Sequence, residues 1–348
     1  MSEKRYIGWL LGGMLMLLLL TACSEESDEP QGSPLRLSAV TRTGDDHPDH
    51  LTTGGSVKMF VMTSGAQFSS GTFSYSSGWS GTGVSVGEHG QYYIYGYSPS
   101  TIAGSLTTPT EGGDYADGVD MTLTNMPMFP SDDICVIVGV QKVSTAESVD
   151  SHTTVSEGNY GYLSGLNSEN YVNLLVDHLY SQLILQFNVD ADYYALRHIK
   201  LKTVTLKSTY GQTVNATIKL RDGDDNGLNN NTVGFSQHTA GYVELPVWTE
   251  ASAVFLTTET MSVTATPITC APCTFDANGT NLELTCTYDV YNTSETKVLR
   301  SQEVTNKLKV TNMAPGVKKT VTLTIEPTYL YVLSDDDLDN PTIVVNSD

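Results

Sequence analysis

The sequence predicts an all-β protein with two domains. Its 348 residues exceed the usual size of one domain. The chain has 30 Gly and 19 Tyr but only 18 Lys and Arg, the residues that often cover exposed helix faces. From residue 35 onward, short alternating or apolar runs are separated by Gly, Asn, Asp and Pro, as in β-sandwiches. The sequence shows no sustained helical period.

The charge balance excludes one class of partner. The chain has 39 acidic and 18 basic residues, which give a formal net charge of −21. Such a field repels the phosphates of nucleic acids and anionic membrane surfaces. The sequence therefore predicts no nucleic acid partner.

The N-terminus, residues 1–22, is a predicted export signal. Two basic residues precede the apolar run 10–20, which is shorter than the roughly 20 residues needed to span a bilayer. The run ends in Leu-Thr-Ala before Cys23 and resembles a bacterial lipoprotein signal with its lipobox. The resemblance implies diacylglyceryl transfer to the Cys23 thiol, cleavage before it and acylation of the new amine. The acidic stretch 25–29 is then a solvated tether.

Period-two and apolar runs predict the strands. In the first half they are expected near 35–41, 57–63, 91–97, 119–124 and 134–142. The polar segment 145–165 is expected to be a long loop. After it, one helical turn at 191–197 interrupts further strands. These are expected near 171–176, 183–189, 198–202, 213–220, 242–247, 253–266, 282–291 and 320–325.

Four cysteines lie beyond Cys23. Cys135 lies in an apolar run and is predicted to be a free core residue. Cys270 and Cys273 form a C-x-x-C pair, but no His follows at a ligand spacing, which disfavours metal or redox use. The prediction is a structural disulfide from Cys286 to Cys270 or Cys273, which requires a bulge or a longer turn between them.

The residues give no sign of catalysis or of a resident metal. Asp222, Asp224 and Asn226 match the first half of a calcium loop, but Val233 stands where the bidentate Glu is needed, which favours an acidic turn. His178 is predicted to be a structural histidine. The sequence has no nucleophile elbow, phosphate loop or dinucleotide fingerprint, so we predict a non-enzymatic protein without a cofactor.

Several segments together carry a family resemblance. They are 37–42, the aromatic strand 92–99, the apolar strand 133–140, the run 176–183, and 313–316 followed by the strand at 321. In combination they resemble the fimbrillin-type pilins of Bacteroidales, which include major and tip fimbrial subunits, over almost the whole chain from Cys23 onward.

The resemblance implies an architecture. Members have two transthyretin-like, Greek-key β-sandwich domains in tandem. After the signal peptide, residues 23–42 would then be a lipidated tether and cleavable first strand. Residues 43–168 would form the N-terminal sandwich and 169–348 the C-terminal one.

The resemblance also implies a maturation route. Members are exported as lipoproteins to the outer membrane and cut after an Arg by a trypsin-like protease, for which the match is Arg42. The removed strand would carry Leu35, Leu37 and Ala39, and its loss would open a groove that a strand of another subunit fills. The candidate donor strands lie within 328–348 and present Tyr329, Tyr331 and Leu333 in the first and Ile343 and Val345 in the second.

The predicted function is therefore a structural subunit, stalk or tip, of an adhesive cell-surface fimbria. Its expected partners are other pilin subunits, a host or bacterial surface receptor, and a lipid anchor before maturation. If the donor strands pair within their own domain, the subunit is a tip; if Arg42 is not cut, it is an anchor. The rivals are a monomeric lipoprotein that binds glycans through aromatics such as Trp79 and Tyr95, and, more weakly, a hydrolase.

Overall fold

The computed structural model describes residues 32–42, 49–51, 54–145, 155–166, 169–264, 266–275, 281–310, 313–326 and 342–347. Strands dominate this part of the chain, and its one α-helix is the single turn α1 (Ala191–Tyr194), capped by Asp190. The predicted all-β class is confirmed. The signal peptide, Cys23, and the donor candidates Tyr329, Tyr331 and Leu333 lie outside the described residues.

The largest sheet has nine strands, and its two ends approach each other because the sheet curls. In spatial order it contains β3 (Asp49–His50), β2 (Arg36–Arg42), β13 (Tyr171–His178), β11 (Cys135–Val143), β8 (Gln91–Ser98), β4 (Ser56–Met62), β5 (Gln67–Tyr75) and β6 (Trp79–Thr82), with β12 (Gly161–Leu163) beside β8. Its pairs are antiparallel except β2 with β13, which is parallel. Upstream of β2, the short strand β1 (Ser33–Pro34) pairs with β7 (Ser85–Val86).

A four-stranded sheet packs on the outer face of this curled sheet. Its order is β17 (Val233–Thr239), β16 (Thr213–Arg221), β10 (Gly118–Pro127) and β9 (Ala103–Thr107). Strand pairing crosses the predicted boundary between residues 168 and 169 twice. β13 pairs with β11, and the β16–β17 hairpin pairs with β10, so both complete sheets of the N-terminal half.

The remaining strands form a second sandwich of two five-stranded sheets. One contains β20 (Met261–Ser262), β14 (Ser181–Val189), β24 (Lys318–Glu326) and β25 (Thr342–Ser347), with β21 (Ile268–Cys270) beside β14. The other contains β18 (Val243–Trp248), β15 (His198–Ser208), β22 (Leu282–Tyr291) and β23 (Val298–Lys307), with β19 (Val254–Phe255) beside β15. The period of two predicted for β14 is confirmed, because Leu183, Leu185, Phe187 and Val189 all enter the core of this sandwich.

The curled sheet has apolar side chains on both faces. Met59, Ile94 and Ile137 point into the interior of the curl, which we call the inner core. Tyr95 and Val136 point outward against the four-stranded sheet. Because each large apolar side chain gains roughly 1.5–3 kcal/mol when it leaves water, the inner core holds together every strand that reaches it.

Candidate functional site

Strand β2 and Leu35, the residue just before it, join the inner core through three apolar side chains. Leu35 is 3% exposed, Leu37 5% and Val40 1%, and they pack with Val172 and Leu174 of β13. The backbone of β2 pairs with β13 along its length, whereas the short β3 pairs only with its last two residues. The segment is thus buried by its side chains but attached to the sheet mainly along one edge.

A bulge at Ser38 changes which residues of β2 face inward. Consecutive residues of β13 lie opposite Leu37 and Ala39, which leaves Ser38 as the extra residue. Of the residues predicted for the removed strand, Leu35, Leu37 and Ala39 are all buried, but only Leu35 and Leu37 join the inner core. Val40 enters the inner core, and Ala39, although buried, does not belong to that core.

A cleft of about 680 Å³ lies along the seam where β2 approaches β5 and β6. Its lining includes Arg36, Tyr75, Trp79 and Tyr171. The Arg36 guanidinium donates a hydrogen bond of 2.8 Å to the hydroxyl of Tyr171, and the rings of Tyr75 and Trp79 meet edge to face at 5.4 Å. Among the described strands, no ladder joins β2 to β6, so backbone pairing does not close the seam.

Strand β2 ends at Arg42, whose side chain belongs to a group that we call the Arg42 cluster: Arg42, Asp133, Cys135 and His178. The Arg42 Nη1 lies 3.3 Å from Oδ2 of Asp133, and the two side chains are 20% and 15% exposed. The same oxygen lies 2.5 Å from Nδ1 of His178 and accepts a hydrogen bond of 3.4 Å from the Cys135 thiol.

Three neighbouring strands bring the Arg42 cluster together. Cys135 is the first residue of β11 and Asp133 lies two residues before it, while Cys135 is directly opposite His178 at the end of β13. Arg42 is opposite Val176, two residues before His178, because β2 runs parallel to β13. The parallel pairing of β2 therefore places the last residue of the strand beside the carboxylate of Asp133.

The electrostatics favour an ion pair within the cluster. The hydrogen bond with Asp133 raises the pKa of His178 even though burial opposes the imidazolium form. Burial by itself raises the pKa of Asp133, but the hydrogen bond and charge of His178, together with Cys135 and Arg42, lower that pKa overall. Burial and the charge of Asp133 raise the pKa of Cys135, which keeps it as a thiol.

The Arg42 cluster does not have the geometry of a catalytic Cys-His pair. In such a pair the base uses one ring nitrogen for the nucleophile and the other for the orienting carboxylate. Here Asp133 Oδ2 and Cys135 Sγ both approach Nδ1 of His178, at 2.5 and 3.9 Å. The imidazole therefore cannot pass a proton from the thiol through its ring to the carboxylate.

The sequence singled out Cys135 and His178 only as separate structural residues. Cys135 is buried and His178 is partly buried, which agrees with that interpretation, but their contacts with Asp133, the partner of Arg42, were missed. The available signal was the spacing of Asp133 and Cys135, which places both side chains at one end of a strand. The alignment of β2 and β13 that brings in Arg42 has no local signal.

The second candidate donor segment is β25, an edge strand of the second sandwich. It pairs antiparallel with β24, and Ile343 is 6% exposed in the core of that sandwich. Val345 also packs against this core. In this structure β25 therefore lies within its own domain, which is the alternative that the sequence left open.

The predicted disulfide is not formed. Cys270 and Cys286 are free thiols buried in the core of the second sandwich, and Cys273 is free and partly buried. Cys270 lies beside β14 in one sheet and Cys286 lies on β22 in the opposite sheet, so they belong to different layers. Burial raises the pKa of Cys273 and Cys286 to about 12.

The segment with Asp222, Asp224 and Asn226 forms a turn. Asp224 Oδ1 accepts hydrogen bonds from the backbone and side-chain amides of Asn226, at 3.2 and 2.8 Å. These bonds are those of an acidic turn that satisfies itself locally. In the described residues, one group of three His, Cys, Asp or Glu ligand atoms converges within 4.8 Å, and it is Asp133, Cys135 and His178.

The structural similarity of this chain to known proteins extends over nearly its full length. No protein-family model matches the sequence, and no curated protein matches it. A fimbrial protein from Bacteroides vulgatus is similar in structure, with a TM-score of 0.48 and 11% identity over 89% of this chain and 97% of that one. A cell adhesion protein from Bacteroides ovatus has a TM-score of 0.41 and 12% identity, over 91% and 96% of the two chains. The fimbrial anchor protein from Porphyromonas gingivalis has a TM-score of 0.32 and 10% identity, over 90% and 95%.

The structural neighbours of this chain are fimbrial and cell adhesion proteins of Bacteroidales. Within the described residues, no helix has both the length and the apolar character required to cross a membrane.

Proposed function

We propose that this protein is a structural subunit of an adhesive cell-surface fimbria. It reaches the outer membrane as a lipoprotein acylated at Cys23, is cut after Arg42, and assembles when a strand of another subunit replaces β2. The role is structural and non-enzymatic, its partners are other fimbrial subunits, and a surface receptor lies beyond them. The observation that carries this proposal is the position of β2, a core-forming strand that ends at Arg42.

Loss of β2 would expose a surface that is unfavourable in free energy. The backbone edge of β13 would lose its parallel partner, and the pockets of Leu35, Leu37 and Val40 would open to water. Unpaired backbone groups beside exposed apolar side chains strongly favour the addition of a new strand. The incoming strand would gain affinity from main-chain hydrogen bonds and register from the alternate pockets.

Strand β25 has the pattern needed to fill the first two pockets. Ile343 and Val345 are two residues apart, as are Leu35 and Leu37, so both pairs present branched apolar side chains on one face. Among the described strands β25 pairs only with β24, so it can leave its sheet without breaking a second described ladder. The segment with Tyr329, Tyr331 and Leu333 remains a predicted alternative donor.

Limited trypsin digestion followed by intact-mass analysis and size-exclusion chromatography tests this function. We expect one cut after Arg42, release of the N-terminal peptide, and growth of a heat-resistant ladder. Arg42→Ala should stop both events, whereas the matched Arg36→Ala, in the same strand but exposed, should stop neither. A chain that resists cleavage at Arg42 and stays monomeric would instead be an uncleaved anchor subunit.

The seam cleft favours glycan binding as a second candidate function. Tyr75, Trp79 and Tyr171 line it, and aromatic faces combined with hydrogen-bonding groups suit sugar rings. Tyr95 cannot serve this purpose, because it is fully buried and its hydroxyl donates to the Tyr115 carbonyl. A saturable change in tryptophan fluorescence with surface glycans, abolished by Trp79→Ala but not by Trp248→Ala, would support this candidate.

A further inference from the structure

The Arg42 cluster contains a set of ligands suited to a borderline-soft divalent cation. A thiol, an imidazole nitrogen and a carboxylate oxygen are the three ligand types that Zn²⁺ takes in proteins, and three protein ligands plus water complete its tetrahedron. Cys135, His178 and Asp133 supply one of each. The sequence spacing would not suggest this set, because the ligands come from two strands.

The distances between these atoms are near those of a tetrahedral site. With bond lengths of about 2.3 Å to sulfur and about 2.1 Å to nitrogen and oxygen, ligand atoms lie about 3.4–3.6 Å apart. In the structure, Cys135 Sγ is 3.4 Å from Asp133 Oδ2 and 3.9 Å from His178 Nδ1. The third pair, Asp133 and His178, is 2.5 Å apart because a proton joins the two atoms.

A cation already lies beside these ligands. The Arg42 guanidinium lies 3.3 Å from the carboxylate oxygen that would bind the metal. The other oxygen of Asp133, Oδ1, is buried and has no hydrogen-bond partner among the described residues. The carboxylate therefore keeps ligand capacity that neither Arg42 nor His178 uses.

We propose that Asp133, Cys135 and His178 form a zinc-type metal site that Arg42 masks and that removal of Arg42 opens. Binding displaces the thiol proton of Cys135 and the proton shared by His178 and Asp133, and the metal replaces the positive charge that left with Arg42. The inference that proteolysis removes Arg42 in the cell rests on the proposed function. The metal would then fasten the ends of β11 and β13, which border the groove.

Titration of the full-length chain with Zn²⁺ tests the site without proteolysis. Arg42→Gln should raise the affinity for Zn²⁺ about tenfold or more relative to the unchanged chain, because it removes a cation beside the ligands. The matched Arg36→Gln should leave the affinity unchanged. Equal affinities for Arg42→Gln and the unchanged chain would overturn the proposal.

Cobalt in place of zinc reports the thiolate directly. With Co²⁺, the Arg42→Gln chain should show a sulfur-to-cobalt charge-transfer band that is lost when Cys135→Ser is added and kept when Cys286→Ser is added. A band that persists in the Cys135→Ser chain would overturn the site. This result can be read even if variants at His178 do not fold.

The metal site and the proposed function can fail separately. If Arg42→Gln binds Zn²⁺ but trypsin does not cut after Arg42, the site stands and the proposed maturation fails. If trypsin cuts after Arg42 and the chain assembles, but Arg42→Gln gains no affinity for Zn²⁺, the proposed maturation stands and the site fails.

Discussion

At the scale of single residues, the side chain of Arg42 is restrained by the chemistry that surrounds it. Its guanidinium is paired with Asp133, which is held as a carboxylate by His178. A trypsin-like protease must take the whole Arg side chain into its own acidic pocket. Cleavage after Arg42 therefore competes with the ion pair to Asp133.

We predict that Asp133→Asn accelerates tryptic cleavage after Arg42. The substitution removes the charge that holds the guanidinium, and a partly buried pair of this kind is worth about 1 kcal/mol or more, so the rate should rise several-fold. Time-resolved intact-mass analysis measures the rate. Asp132→Asn, at the exposed neighbouring position, is the control and should not change it. An unchanged rate for Asp133→Asn would mean that the ion pair does not limit access to Arg42.

Glu157 gives a pH-dependent prediction. Burial and the neighbouring charges of Asp177, Asp225 and Asp224 raise the pKa of Glu157. A raised pKa in the folded state means that the stabilising contribution of Glu157 is complete below its ordinary pKa and is lost as the pH rises through the raised value.

Glu157→Gln should therefore stabilise the protein at pH 7 and have no such effect below about pH 4. Because the side chain is partly exposed, the gain in the free energy of unfolding should be about 0.5 kcal/mol or less. Urea unfolding at the two pH values measures it, with Glu88→Gln as the exposed control. Equal stability of Glu157→Gln and the unchanged protein at pH 7 would contradict the assignment.

At the scale of elements, the proposed maturation assigns β2 to the precursor and not to the matured chain. Leu37→Ala should lower the free energy of unfolding of the precursor by about 2–4 kcal/mol, since it leaves a cavity in the inner core. The same substitution should not change the stability of protein already cut after Arg42. Arg36→Ala, exposed on the same strand, should cost much less in the precursor. Thermal unfolding before and after cleavage distinguishes these cases, and an equal loss in both forms would show that β2 stays bound.

Strand β25 gives the complementary prediction. Ile343→Asp should leave cleavage after Arg42 intact but prevent growth of the ladder, because a charge in the pocket vacated by Leu35 or Leu37 costs several kcal/mol. Val344→Thr, at the adjacent position on the other face of the strand, should assemble normally. Denaturing gels of trypsin-treated protein without boiling report the ladder. A normal ladder from Ile343→Asp would exclude β25 as the donor and leave the segment with Tyr329 as the alternative.

The sequence could predict those strands that have one dry face. β14 follows its period of two over its whole length, and the predicted strand at 91–97 is β8 within one residue. The strands β5, β17 and β23 were missed because they are polar and have at most one buried residue each, so no alternation of apolar residues marks them. In β2, the bulge at Ser38 has no signal in composition, which is why Val40 rather than Ala39 faces the inner core.

At the scale of the whole molecule, local sequence patterns could not predict the order of the strands in the sheets. The parallel pairing of β2 with β13 joins segments more than 130 residues apart, and nothing within either strand encodes its partner. The return of the β16–β17 hairpin to the sheet of β10 is equally non-local. The pairing of β2 with β13 determines the candidate site, since it brings Arg42 to Asp133.

The exchange of β2 for another strand is the central claim, and hydrogen exchange of the β13 amides tests it most directly. The peptide Tyr171–His178 should be protected in the precursor, because β11 and β2 pair with it on its two sides. After cleavage at Arg42, freshly isolated monomer should exchange faster in this peptide, and assembly should restore protection. Protection that never falls after cleavage, or that does not return in the assembled form, would contradict strand exchange at β13.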